Sequence, residues 1–166
     1  MKRLRAIALG LDRAVACIEA VVIAVLVCAL TAVTFAQVVT RYLLGDPLIW
    51  SEEAARYLFV WVSMIGAALA VREGGHFGLD LVIRRMPALG AVLAPTVAMV
   101  FLAIMLKTGI DETKLASMQF AMTFPMRMQW AYLALPVGAG LMLLHLAVHL
   151  IRSPTTHILD VRARPE

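Results

Sequence analysis

Little in this chain is equipped for chemistry. It has two cysteines, Cys17 and Cys28, in 166 residues. They lie on one apolar stretch, roughly 16 Å apart along a helix, too far to bridge, and they read as small packing residues. No cysteine pair has metal-ligand spacing, and no glycine-rich phosphate loop is present. Asp and Glu fall at the edges of apolar runs rather than in pairs at their centres, so a proton relay or ion site is not supported. A carrier in its own right needs a central substrate site, usually made by broken helices. The uncharged span centres and the lack of an inverted repeat do not supply one. A low-complexity segment is also missing.

What the chain has is apolar length. It is 62% hydrophobic with a mean hydropathy of +0.87, against about 45–50% apolar residues in soluble domains. The composition is that of an all-α integral membrane protein. At this length the spans are the domain, and 1–166 reads as a single membrane domain. The net charge of +4 then reports orientation rather than nucleic-acid binding.

In chain order, Met1–Arg13 is basic and amphipathic, with Leu4, Ile7, Ala8 and Leu11 on one face. It suits a short interfacial helix on the cytoplasmic surface. A signal peptide is the competing reading. The charge-free run from Ala20 to Thr40 is too long for a signal core of about 7–15 residues and matches the roughly 20 residues of a span. The expected spans are 14–40, with Glu19 near the cytoplasmic end, then 51–71, 87–106 and 130–151. Pro87 opens the third, and Pro95 is expected to kink it. Residues 107–129 read as its continuation, bent along the outer surface and broken at Pro125. Their methionines offer either an adaptable binding face or interfacial packing. Trp130 and Tyr132 read as interfacial anchors of the fourth span, whose first half Pro136, Gly138 and Gly140 soften. Residues 152–166 form a short tail. With both termini cytoplasmic, the inner segments hold ten Lys and Arg and the outer segments five, as the positive-inside rule requires.

The stretch Arg41–His76 carries the most detail. The turn Gly45-Asp46-Pro47 stops the first span. Ser51 is placed to cap the second, with Glu52 and Glu53 in its first turn, where the helix dipole favours carboxylates. Arg56 can pair with either glutamate. Trp50 and Trp61 read as packing anchors. Arg72 and His76, at the inner end, are expected to face phosphate headgroups or a protein partner. Ser63, Gly66, Ala67 and Ala70 share one face, small enough for another helix to approach. Histidine is the one cofactor hint: His145 and His149 on the fourth span, with His76 on the same side, could ligate a haem iron. The other reading is hydrogen bonding to neighbours.

At these residues the chain resembles the small membrane subunit (DctQ-like) of the tripartite ATP-independent periplasmic (TRAP) transporters. The ordered set is Arg41-Tyr42, Pro47, Trp50, Ser-Glu-Glu-x-x-Arg at Ser51–Arg56, Phe59-Val60-Trp61, Gly66-Ala67, Arg72 and His76, then Trp130-Ala131-Tyr132 followed by Leu135-Pro136-Val137-Gly138. The resemblance implies a non-catalytic scaffold without a cofactor in the bacterial inner membrane. Its implied partners are a large permease subunit, which moves substrate and coupling ion, a periplasmic substrate-binding protein, and membrane lipids. The energy would come from an ion gradient, usually sodium. The substrates would be organic acids such as C4-dicarboxylates, keto acids or sialic acids. A haem-binding anchor of a membrane oxidoreductase is the alternative, and a stand-alone efflux protein a third reading.

Overall fold

The structure is a computed structural model that describes residues 2–73 and 87–152, with side chains over 9–73 and 93–151. It is helical, with α1 Lys2–Val39, α2 Ile49–Arg72, α3 Pro87–Ala116, α4 Gln129–Tyr132 and α5 Ala134–Arg152. Among the described residues, four helical stretches are long and apolar enough to cross a membrane: Leu9–Leu44, Ile49–Arg72, Leu93–Ala116 and Gln129–Ile151. The four-span architecture is thus present. His76, Arg84, Arg85 and the tail after Arg152 lie outside the described residues.

Two boundaries differ from expectation. The N-terminal segment is not a separate element, because α1 is assigned as one helix of 38 residues, about 57 Å long. Its last turn widens into a π-helical turn at Thr40–Leu44 and ends on Gly45, whose φ of 69° is left-handed. Glycine adopts that conformation without the Cβ penalty. Pro47 then biases Asp46 to extended backbone, and α2 starts at Ile49 behind Leu48. Ser51 is therefore not the cap. It sits in the first turn, fully buried, and its hydroxyl donates to the Leu48 carbonyl at 2.6 Å.

The expected bend of residues 107–129 along the surface is also replaced. α3 runs as one helix from Pro87 through Pro95 to Ala116. The chain then turns back in a short hairpin. The Ala121 N–H donates to the Met126 carbonyl at 2.8 Å, the Met128 N–H to the Gln119 carbonyl at 3.0 Å, and Phe120 pairs antiparallel with Arg127. α4 and α5 follow as the fourth span, separated only by Leu133.

α2 and α5 form the central pair, with α1 packed on α2 and α3 on α5. Ala68, Leu102, Met142 and Leu146 make the core, with Met64, Val71 and Ala98 packed against it. Gly138 lets α2 and α5 approach. A Cβ there would lie 2.8 Å from Met64 Cβ and 3.2 Å from its carbonyl oxygen. Gly109 does the same for α3 and α5, since its Cβ would meet the Pro136 ring at 3.0 Å. These glycines are contact points rather than soft spots. Most large apolar side chains on α1 and α3 stay exposed, Val25, Phe35, Phe101 and Ile104 among them, as expected of helices whose outer solvent is lipid.

Candidate functional site

Three features hold the polar residues and the small-residue face. The first is the N-terminal end of α2. Glu52 and Glu53 were equal candidates to pair with Arg56, and the helix separates them. Glu52 meets Arg56 at 3.6 Å with both side chains about two-thirds exposed. Glu53 is buried and makes no pair with Arg56. Its carboxylate accepts the backbone N–H of Met122 at 3.1 Å and of Thr123 at 2.9 Å, together with the Thr123 hydroxyl. The Tyr57 hydroxyl donates to it at 2.6 Å. One carboxylate thereby satisfies the tip of the hairpin after α3, which would otherwise present unpaired amides.

The tip is left apolar and open, with Met122 97% exposed and Met118 83%. Arg127 lies over the Phe120 ring at 5.7 Å. Beneath the hairpin an apolar cavity of about 370 Å³ is lined by Leu26, Tyr57, Trp61, Phe124, Met126 and Trp130. Trp61 anchors its wall by donating its indole N–H to the Trp130 carbonyl at 3.0 Å. Trp50 lies at the outer end of α2, partly exposed.

The second feature lies at the opposite end of the bundle, where His145 takes the reading of hydrogen bonding to neighbours. His145 on α5 is fully buried among residues of α1. Its Nδ1 lies 2.6 Å from Asp12 Oδ1, and its Nε2 lies 3.0 Å and 3.2 Å from the Glu19 oxygens. Arg72 on α2 donates from Nε to Asp12 Oδ2 at 3.1 Å. Arg72 thus has a partner within the chain. Asp12 and Glu19 were legible as same-face acids, seven residues or about two helical turns apart on an apolar helix, where charges are expected to have partners. Both ring nitrogens of His145 face carboxylates, so they are taken, and His149 is exposed. The pair of axial haem ligands considered above is not assembled by these two residues.

The third feature is the outward face of α2. Glu52, Arg56, Phe59, Ser63, Gly66 and Ala70 recur at alternating steps of four and three residues, which is one helical face. Ser63 and Ala70 are exposed, and a Cβ on Gly66 would meet nothing within 4 Å. Of the predicted small-residue face, Ala67 alone touches the core. The neighbouring buried positions are Ile65 and Ala68. Small residues at this spacing leave room for a helix from outside the chain.

Comparison with known proteins adds what geometry alone does not. Residues 30–155 match the family model of the tripartite ATP-independent periplasmic transporters, DctQ component. The sialic acid TRAP transporter small permease protein SiaQ of Vibrio cholerae is 31% identical over 129 residues, covering 75% of each chain. The C4-dicarboxylate TRAP transporter small permease protein DctQ of the same organism is 38% identical over 71 residues, 43% of this chain and 31% of that protein. The sialic acid TRAP transporter permease protein SiaT of Haemophilus influenzae is 35% identical over 119 residues, 69% of this chain but 19% of SiaT.

Proposed function

This chain belongs to the DctQ component family of the tripartite ATP-independent periplasmic transporters, and from that membership we propose that it is a scaffold for a larger permease subunit. It is a small permease component, a multi-pass membrane protein and a transporter part rather than an enzyme. The reading is that it packs against a large subunit in the bacterial inner membrane. That subunit takes up an organic acid, delivered by a periplasmic binding protein, driven by the inward flow of an ion such as sodium down its own gradient.

The observation that carries this is the match to SiaT. The region similar to this chain is 19% of a protein named as a permease, so most of that protein lies outside the shared part. The geometry agrees with a supporting role. The polar groups described at the two ends of the bundle are engaged within the chain, and its core is apolar. The outward face of α2 is the surface we assign to the large subunit, with Glu52 and Arg56 at its outer end and Ser63, Gly66 and Ala70 along the span.

The test is affinity purification of the tagged chain from native membranes in mild detergent, followed by mass spectrometry and a visible spectrum. A colourless, stoichiometric complex with a multi-span protein similar to the remainder of SiaT is the expected result. Recovery of the chain alone, or with a haem protein, would overturn the proposal.

A further inference from the structure

We infer that Asp12, Glu19, His145 and Arg72 form a proton-binding site, which holds one proton beyond those of two ionised carboxylates and a neutral imidazole. The inference is a count of donors and acceptors. An ionised carboxylate only accepts hydrogen bonds, and a neutral imidazole donates from one nitrogen and accepts at the other. His145 has a carboxylate oxygen at 2.6 Å from Nδ1 and others at 3.0 Å and 3.2 Å from Nε2. With both acids ionised and the ring neutral, one contact would set an acceptor lone pair against a carboxylate oxygen. One more proton removes that clash. Either the ring is an imidazolium that donates to both acids, or one acid is protonated and donates to a neutral ring.

The charge count gives the same answer. Arg72 brings one positive charge against two carboxylates, so without the proton the cluster carries a net negative charge. With it, the cluster is neutral. His145 and Glu19 are buried, and a buried uncompensated charge is costly. The charged and titratable groups that meet here are Asp12 and Glu19 from α1, Arg72 from α2 and His145 from α5. From α3, Leu102 shares the apolar core with Leu146, the residue after His145, and Ala98 packs against that core.

The site is therefore a clamp on the inner ends of three helices that closes with a proton bound. Glu19→Gln removes the need for it. A Gln amide can donate to Nε2 while a neutral ring donates from Nδ1 to Asp12, so each ring nitrogen keeps a partner.

The test uses the full chain in lipid nanodiscs near neutral pH, with isotope-labelled histidine whose ring-nitrogen resonances report protonation. The His145 signal is assigned by its loss in His145→Gln, and an infrared spectrum of the carboxylic-acid carbonyl region is taken alongside. A doubly protonated His145 is the expected result. A neutral ring with an acid carbonyl band that Glu19→Gln or Asp12→Asn removes supports the site equally and puts the proton on that carboxylate. A neutral ring with no such band overturns it, and this readout is taken on the wild type, the variants serving only to assign its signals.

Discussion

Glu52 and Glu53 are adjacent in sequence but about 100° apart around α2, and that angle decides their roles. Glu52 remains at the surface with Arg56. Such exposed pairs contribute little, about 0–1 kcal/mol. Glu53 turns inward and holds the Met122 and Thr123 amides. Replacing Glu53 by Gln keeps the size but removes the ionised acceptor, so one carboxamide oxygen must serve donors that two carboxylate oxygens served. The Met122 and Thr123 amides are then expected to exchange with deuterium about tenfold faster or more, the scale of a lost charge-assisted bond, while Gln at position 52 leaves them unchanged. The sequence placed both acids in the first turn of a helix. It could not say which one faced in, because the partner is a loop about seventy residues away whose backbone follows no periodic pattern. The cluster around His145 was hidden for a similar reason. The polar edge residues Asp12, Glu19, Arg72 and His145 are each visible as unusual, but their meeting depends on how three helices are rotated against one another.

At the scale of elements, α2 has two faces with opposite demands. Its inner face meets α5 at Gly138, where an added Cβ would lie 2.8 Å from Met64 Cβ. Gly138→Ala is expected to lower the stability of the chain in detergent by about 1–3 kcal/mol, the usual cost of overpacking, read as a fall in its unfolding midpoint. Its outer face is open at Gly66, so Gly66→Leu should leave that midpoint nearly unchanged and reduce recovery of the large subunit instead. Arg56→Leu should behave as Gly66→Leu does, since the Arg56 side chain is mostly exposed and arginine is over-represented among residues that dominate interfaces. A drop in midpoint with intact complex yield would reverse the assignment of the two faces. The helices themselves were legible from their apolar runs and from Gly45 and Pro47. Two ends were not. α1 continues back to Lys2 although its first thirteen residues have the amphipathic pattern of a surface helix, since that pattern fits either a separate or a continuous helix. α3 continues to Ala116 despite its polar last turns, because exposed pairs such as Asp111 with Lys114 at 3.7 Å suit a helix that emerges from the membrane.

At the scale of the whole molecule, the described residues form four candidate spans around a small apolar core, closed at one end by Glu53 and at the other by the His145 cluster. Its exterior along α1 and α3 is aliphatic and aromatic, and its central pair carries one open face of small residues. That organisation suits a body that holds position in lipid and presents a helix to a partner. The four-span architecture and the resemblance to the family were legible in the residues from Arg41 to Arg72 and from Trp130 to Gly138. The substrate was not, since the relatives carry names as different as sialic acid and C4-dicarboxylate transporters. The measurement that bears most directly on the scaffold role is photo-crosslinking in native membranes, with the reactive group placed at Gly66 and, as a control on lipid-facing surface, at Val25. The expected result is one cross-linked species from Gly66 that mass spectrometry identifies as a large multi-span permease subunit, and none from Val25. Cross-links to lipid alone from both positions, in membranes that support uptake, would contradict it.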